Sequence, residues 1–340
     1  MRLPSAALPA AVVPAVAAAA LALVPTAAFA EGPPKTFVIE DPRITESSGL
    51  AASRIHPGVY WTHNDSEDGP YVYGVDAATG RTVARVTMTG VGRPRDVEAI
   101  SLGPDGQLYV GDIGDNRNGT WDHVWIYRFP EPKQLGDSTV KAAQFTVKYA
   151  DGPRDAEALM VHPKTGRVYI ASKDKTKGGL YEGPAQLSTG GTNVFRRVAA
   201  MPWVTDGAFS PDGTRLAVRG YLFARTYPFR DGRPSGEGDR VDAPWQGQAE
   251  SVTYSADGSA LMMGAEGPRS EVVAVPVAPP AGGAPGASGK PSARPGGSGP
   301  GGTAAAQDTG TGNLTVGGLV LAGAVALWLG GRRLFRRARG

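Results

Sequence analysis

Phe209-Ser210-Pro211-Asp212-Gly213-Thr214-Arg215-Leu216-Ala217-Val218 is the stretch whose reading decides the fold. A short apolar segment ends at a Pro-Asp-Gly turn, and a second apolar segment leaves it in the opposite direction. Aspartate and glycine accept the backbone that a tight hairpin demands, so the ten residues read as two antiparallel strands. Working outward, the same grammar recurs at His56-Pro57-Gly58, Pro104-Asp105-Gly106, Pro163-Lys164-Thr165-Gly166 and Ala256-Asp257-Gly258. Between second turn residues the repeats lie about 45–59 positions apart, the spacing of four-stranded units set around a channel. The reading is all-β, a five-bladed β-propeller.

The second repeat shows one whole unit. Residues 98–102 read as the innermost strand, 107–110 as the next, 124–127 as the third and 143–149 as the outer one, on alternation and β-branched or aromatic content. The third repeat matches with 158–161 and 167–170, the fourth with 208–210 and 215–218, and the fifth with 252–254 and 260–263. The fifth ends at 271–277 without an outer strand, while Thr36-Phe37-Val38-Ile39 is left over at the start. That segment is expected to close the ring as the missing strand, which removes an open sheet edge. The Phe-Ser-Pro-Asp-Gly run resembles the hairpin motif of TolB-like and WD-repeat-like propellers, and Asp105-Gly106 and Asp257-Gly258 are partial copies. The resemblance covers residues 36–277 and implies a fold, not a ligand.

The two ends have other compositions. Arg2 and an Ala/Leu/Val-rich run lead to Ala28-Phe29-Ala30, the pattern of a signal peptide over residues 1–30. Residues 278–313 are rich in Pro, Gly, Ala and Ser and read as a flexible linker. Residues 314–331 are uncharged and apolar, long enough for one membrane-spanning helix, and the arginine-rich 332–340 then marks the cytoplasmic end. The expected localisation is the cell membrane, single-pass, with residues 31–277 outside it. The tail also resembles a cell-wall sorting signal. Its pentapeptide would be Ala306-Gln307-Asp308-Thr309-Gly310, which lacks the Leu and Pro, so the membrane anchor is preferred.

Eight of the 35 Lys and Arg residues and one of the 32 acids lie outside 31–277, leaving 27 cations against 31 anions and a net charge of −4 there. That balance argues against nucleic acid as a partner, which needs clustered positive charge. With no cysteine, thiol chemistry and thiolate-bound metals are excluded.

A second repeat, Pro-Arg-x-x-Glu, runs through Pro42-Arg43 with Glu46, Pro94-Arg95 with Glu98, and Pro153-Arg154 with Glu157. In the fourth unit Pro202-Trp203 precedes Asp206, and in the fifth Pro244-Trp245 precedes Glu250. Each acid opens an innermost strand, so propeller symmetry gathers them at one mouth of the channel. Loops on the same face carry Asp65, Asp112, Asp115, Asn116, Lys173, Arg219 and Glu266. Glu98, Glu157, Asp112, Asp115 and Glu250 are the candidate ligands for a hard cation, Ca²⁺ by donor type. Lys173 and Arg219 are candidates to hold an anionic group, and Trp203 and Trp245 to stack on a sugar or a side chain. The competing reading is structural: each glutamate accepts backbone N–H bonds or pairs with the arginine three residues earlier.

The loops at 63–69 and 111–119 do not fit EF-hand spacing, and neither G-x-S-x-G nor H-E-x-x-H occurs. Of the four histidines only His63 falls near the expected funnel. Three functions stay open. The first is binding of an envelope protein, a glycan or a small ligand at the funnel face. The second, implied by a general similarity to propeller phytases and lactonases, is Ca²⁺-assisted hydrolysis using Glu98, Glu157 and Asp112. The third is a scaffold with no ligand.

Overall fold

The computed structural model describes residues 34–277, Glu67 and Asn118 excepted. The signal peptide, linker, spanning helix and basic tail expected at 1–30, 278–313, 314–331 and 332–340 lie outside the described residues. Among the described residues no helix is long and apolar enough to cross a membrane. Their regular structure is strand throughout.

β1 (Phe37–Val38) comes first. A first sheet holds β2 (Ala51–Ala52), β3 (Val59–Thr62), β4 (Tyr71–Asp76) and β5 (Thr82–Thr89). Next come β6 (Val97–Leu102), β7 (Gln107–Asp112), β8 (Val124–Pro130), β9 (Asp137–Lys141) and β10 (Ala143–Tyr149), then β11 (Ala156–Val161), β12 (Val168–Ser172), β13 (Gly179–Glu182) and β14 (Thr192–Ala200). The chain continues through β15 (Asp206–Phe209), β16 (Arg215–Gly220), β17 (Phe223–Arg230), β18 (Arg233–Pro234) and β19 (Asp239–Val241) to β20 (Ala249–Tyr254), β21 (Ala260–Ala265) and β22 (Glu271–Pro276). Each group is an antiparallel meander beginning with the strand read as innermost. The repeated turn lies between its first two strands. At Gly213 φ is +73°, a left-handed backbone that glycine adopts without steric cost.

Two connections go beyond the sequence reading. β9, not expected as a strand, leaves its own meander and pairs in parallel with the outer strand of the first, Arg85 opposite Asp137 through Thr89 opposite Lys141. β10 and β14, outer strands of successive meanders, also pair in parallel, Thr146 opposite Thr192. Parallel partners far apart in sequence leave no turn signature, which is why hairpin reasoning passes over them.

The N-terminal strand finds its partner in the last strand of the described residues. β1 pairs antiparallel with β22, Phe37 opposite Val272 and Val38 opposite Glu271. Ile39 N–H donates to Ser270 O at 2.9 Å, and Arg269 forms an ion pair with Glu40. The strand passes so close to the β4–β5 turn that a Cβ on Gly80 would collide with the Val38 carbonyl oxygen.

Apolar side chains fill the space between successive sheets. Trp61, Val72 and Val86 meet Leu108, Val110 and Phe129 between the first and second. Ile126 and Phe145 meet Leu159, Ile170 and Phe195 between the second and third. Tyr169 and Leu180 meet Leu216 and Phe229, and Ala217 and Ala224 meet Val252, Leu261 and Met263. Phe37 and Met262 then meet Tyr60 and Tyr73, which puts the last sheet against the first. β2, β6, β11, β15 and β20 touch in the same cyclic order. Each sheet therefore buries both faces, at about 1.5–3 kcal/mol for each large apolar side chain. The arrangement is a β-propeller type, and it brings the starts of the first strands together at one mouth of the central channel.

Candidate ligand site at the channel mouth

The glutamates reach the channel through a repeated backbone irregularity. In the second sheet Val97 faces Asp112 but Ala99 faces Gly111, so Glu98 is the extra residue of a β-bulge. Glu157 stands in the same slip, between Ala156 opposite Ser172 and Ala158 opposite Ala171. So does Glu250, between Ala249 opposite Ala265 and Ser251 opposite Gly264. In the first sheet the register also moves by one between Ser47, opposite Asn64, and Ala51, opposite Trp61. Ser48 stands there, and its hydroxyl donates to Glu98 Oε2 at 3.2 Å. Glu46 lies two residues earlier, its carbonyl accepting from Asp65 N–H at 2.9 Å just as that of Asp155 accepts from Lys173 N–H at 3.0 Å. The first Pro-Arg-x-x-Glu is thus out of step with the other two.

The arginines of that repeat turn away from the glutamates. Arg95 is sandwiched between Trp121 and Trp125, at 4.0 and 3.8 Å from the ring centroids. Arg154 lies 4.6 Å from the Tyr181 ring and pairs with Asp151, and Arg43 pairs with Asp41 at 2.6 Å. In place of the Glu–Arg pairing offered by the structural reading, these arginines stack on aromatic rings or pair with a nearby aspartate.

Asp65, Asp96 and Glu98 form the tightest acidic group. One carboxylate oxygen from each lies within 4.8 Å of the other two, and all three residues are buried. Burial pushes Glu98 well above the usual carboxylate range, and the charges of Asp65, Glu157 and Asp96 push it further, with Lys173 opposing. Asp96 is held by the Asn116 side chain, whose amide donates at 2.8 Å.

Beside this group Lys173 forms an ion pair with Glu157 and lies 5.5 Å from the Tyr221 ring centroid. Burial works against its charge, but Glu157, Glu250, Tyr221 and Glu98 outweigh that and hold the ammonium protonated, its pKa raised. Glu157 is itself pushed up by burial, Lys173 offsetting part of the effect and Glu250 and Asp155 adding to it.

Other residues singled out in the sequence are differently engaged. Asp112 accepts Tyr127 O–H at 2.6 Å and the N–H groups of Arg95 and Asp96, which makes it a pin for the loop before β6. Asp115 accepts Trp121 N–H at 2.6 Å and donates its own N–H to Asp155 at 2.8 Å. Arg219, 1 % exposed, donates to Ser251 O at 3.0 Å, Gly264 O at 2.8 Å and Gln246 Oε1 at 2.6 Å, and burial pushes it down to about 10. It joins the fourth sheet to the fifth. Asp206 keeps regular register opposite Arg219, one step past the bulge position, and accepts from Gly207 and Val252 N–H. Trp203 is half-buried, edge-on to Tyr221 at 5.1 Å with Lys175 over its ring, and Trp245 is 67 % exposed. His63 is buried and held neutral, burial pushing it down to about 4.

The mouth therefore gathers Glu98, Glu157, Glu250, Lys173 and Tyr221, with Asp65 and Asp96 at one side. Asp96 was passed over as a variable position of Pro-Arg-x-x-Glu. Its recurrence as Asp155 in the next repeat was the available signal.

No protein-family model matches the sequence, and neither does any curated protein. Among solved structures the chain is similar to a PQQ-bound aldose sugar dehydrogenase from Streptomyces coelicolor, at 14 % identity and a TM-score of 0.41, over 72 % of this chain and 99 % of that one. It is similar to a gluconolactonase from Xanthomonas campestris at 15 % identity and 0.45, over 72 % and 80 %. A chain of the mitotic checkpoint complex shows 16 % identity and 0.38, over 67 % and 60 %.

Proposed function

We propose that the protein is a five-bladed β-propeller, its ring closed by the N-terminal strand, that binds a ligand at the acidic mouth of its channel with the help of Ca²⁺. The observation that carries this reading is the convergence of Asp65, Asp96 and Glu98. Three buried carboxylates within reach of one another repel, and a hard divalent cation with oxygen ligands relieves that repulsion. Glu157 and Glu250 stand close enough to act electrostatically on the same region. Lys173, kept charged among them, offers a compensating ammonium and a place for an anionic or hydroxylated group of a small ligand, a glycan or an envelope protein. The wider reading includes export through residues 1–30 and a single C-terminal span at 314–331. Binding would then occur outside the membrane.

Calorimetric titration of the protein with Ca²⁺ and thermal unfolding with Ca²⁺ or chelator test this. Binding only to the native state, at a hundredfold excess over Kd, adds about 2.7 kcal/mol. We expect that gain in the wild type and its loss in Glu98→Gln. Absence of any calcium response would sink the cation and leave the ring as a structural device. Hydrolysis is the second reading, favoured by the buried acid–ammonium pair of Glu157 and Lys173. It requires calcium-dependent turnover of a lactone or phosphate ester that Glu98→Gln abolishes, and binding without turnover eliminates it.

A further inference from the structure

A pocket of about 360 Å³ opens between the β7–β8 and β10–β11 loops, its lining free of the channel carboxylates. Trp121, His123, Tyr149 and Pro153 line it with Asp122 and Lys148. Its volume is at the lower end of the roughly 300–1,000 Å³ usual for small-molecule sites, which suits one or two rings.

The aromatic wall is fixed from behind. Arg95 lies between the indoles of Trp121 and Trp125, and its Nη2 donates to His123 O at 2.8 Å. The His123 ring meets Trp125 edge-on at 5.2 Å, and the Trp121 backbone N–H donates to the Asp115 carboxylate. Such a wall loses little conformational freedom when a ligand arrives. The polar groups balance in charge: Asp122 accepts from His123 Nδ1 at 2.6 Å and lies 3.6 Å from Lys148 Nζ. A free anion meets Asp122 and a free cation meets Lys148, so neither gains from the whole site. A neutral molecule with one apolar face and several hydroxyls gains from all of it. The C–H face of a pyranose stacks on indole, while vicinal hydroxyls donate to a carboxylate and accept from an ammonium.

We infer that this pocket is a second ligand site, taking a ring of a neutral saccharide on Trp121 with hydroxyls directed to Asp122 and Lys148. The inference goes beyond calcium-dependent binding in the channel and stands without it. Two backbone hydrogen bonds, from Trp121 N–H to the Asp115 carboxylate and from Asp115 N–H to the Asp155 carboxylate, tie the pocket wall to the loop before β11.

Saturation-transfer NMR on the protein with glucose, galactose, N-acetylglucosamine and maltose tests the pocket, with benzoate and indole as controls. At least one sugar should receive saturation on its ring C–H protons. That signal should fall at least tenfold in Trp121→Ala and at least threefold in the Asp122→Ala/Lys148→Ala double variant, whose charged side chains lie at the surface. Should Trp121→Ala fail to fold, the double variant decides. The inference is overturned if no sugar responds, if benzoate or indole outcompetes all four sugars, or if the double variant responds as the wild type does. Glu98→Gln separates the two sites, since it should lose calcium and keep the sugar signal. A sugar signal lost in Glu98→Gln and kept in Trp121→Ala moves the sugar into the channel and overturns the pocket assignment.

Discussion

In the second sheet, Glu98 is squeezed out of the ladder by a bulge and faces Asp65, Asp96 and Glu157. In the fourth, Asp206 keeps its place opposite Arg219, and the N–H groups of Gly207 and Val252 bond it. Both carboxylates are buried near the start of a first strand, and one inserted residue separates their fates. Without the bulge the side chain stays in the seam between sheets, where the N–H groups of Gly207 and Val252 donate to it and the Arg219 charge offsets part of the burial that raises its pKa. With the bulge it is turned into the channel among its own kind. The same repeat thus builds a joint in one sector and a cluster of buried like charges in another, a division that charge counting alone does not show.

The largest expected effect breaks the joint. Arg219→Ala removes the donors of two backbone carbonyls and of Gln246, and leaves Asp206 buried without its compensating charge. Groups of this kind cost about 1–3 kcal/mol each when stranded, and removing one member of a buried charged set costs about 3–5 kcal/mol. We expect a loss of about that size, read as a fall in the urea midpoint with an unchanged slope. A loss below about 1 kcal/mol would mean that the guanidinium is not holding the seam, and would return it to the list of ligand-binding groups.

Glu98→Gln should do the reverse in the absence of calcium. The Glu98 pKa is raised in the folded protein above its ordinary 4.5. The folded state therefore holds a proton that the unfolded state has released. The stability contributed by this group is present below pH 4.5 and is lost as pH rises through the folded value. Glutamine removes the penalty, so the variant should be more stable than the wild type at pH 8, by less than the loss caused by Arg219→Ala. The difference should vanish towards pH 4.5, and saturating calcium should reverse its sign at pH 8. Thermal melts at the two pH values decide. A variant less stable than the wild type at pH 8 without metal would show that Glu98 is satisfied by the fold and not strained by its neighbours.

The joint and the acidic cluster differed in how far the residues announced them. Turn chemistry at Pro211-Asp212-Gly213 and its copies carried the hairpins, because turn rules are local, and the pairing of β1 with β22 was legible because the repeat left one strand over at one end and one missing at the other. β9 was illegible because its alternation (Asp137-Ser138-Thr139-Val140-Lys141) faces an edge, and its partner strand ends nearly fifty residues earlier. At the site, the recurrence of an acid at the start of each first strand drew attention to Glu98, Glu157 and Glu250. It could not distinguish Asp206, since a one-residue register slip has no composition. Arg219 read as a loop cation because it follows an apolar run. It lies inside β16, where strand geometry points it into the seam. Asp112 and Asp115 read as ligands from oxygen richness alone, and only the fold shows which N–H groups take those oxygens.

The two tryptophans that replace the repeat's arginine give the finest version of the comparison. Trp203 is part of the wall: Trp203→Ala loses the edge contact with Tyr221 at 5.1 Å and the Lys175 ammonium above its ring. Such contacts contribute about 1 kcal/mol beyond simple burial. Tyr221 in turn stacks beneath Lys173, so this loss should also loosen the ammonium of the channel. Trp245 is 67 % exposed, and Trp245→Ala should change stability by no more than about 0.5 kcal/mol. If the ligand extends over the fourth and fifth sheets, Trp245→Ala should weaken its affinity while leaving calcium binding and the melting temperature alone. Equal affinity in the two proteins would confine the ligand to the sector of Asp65, Asp96 and Glu98.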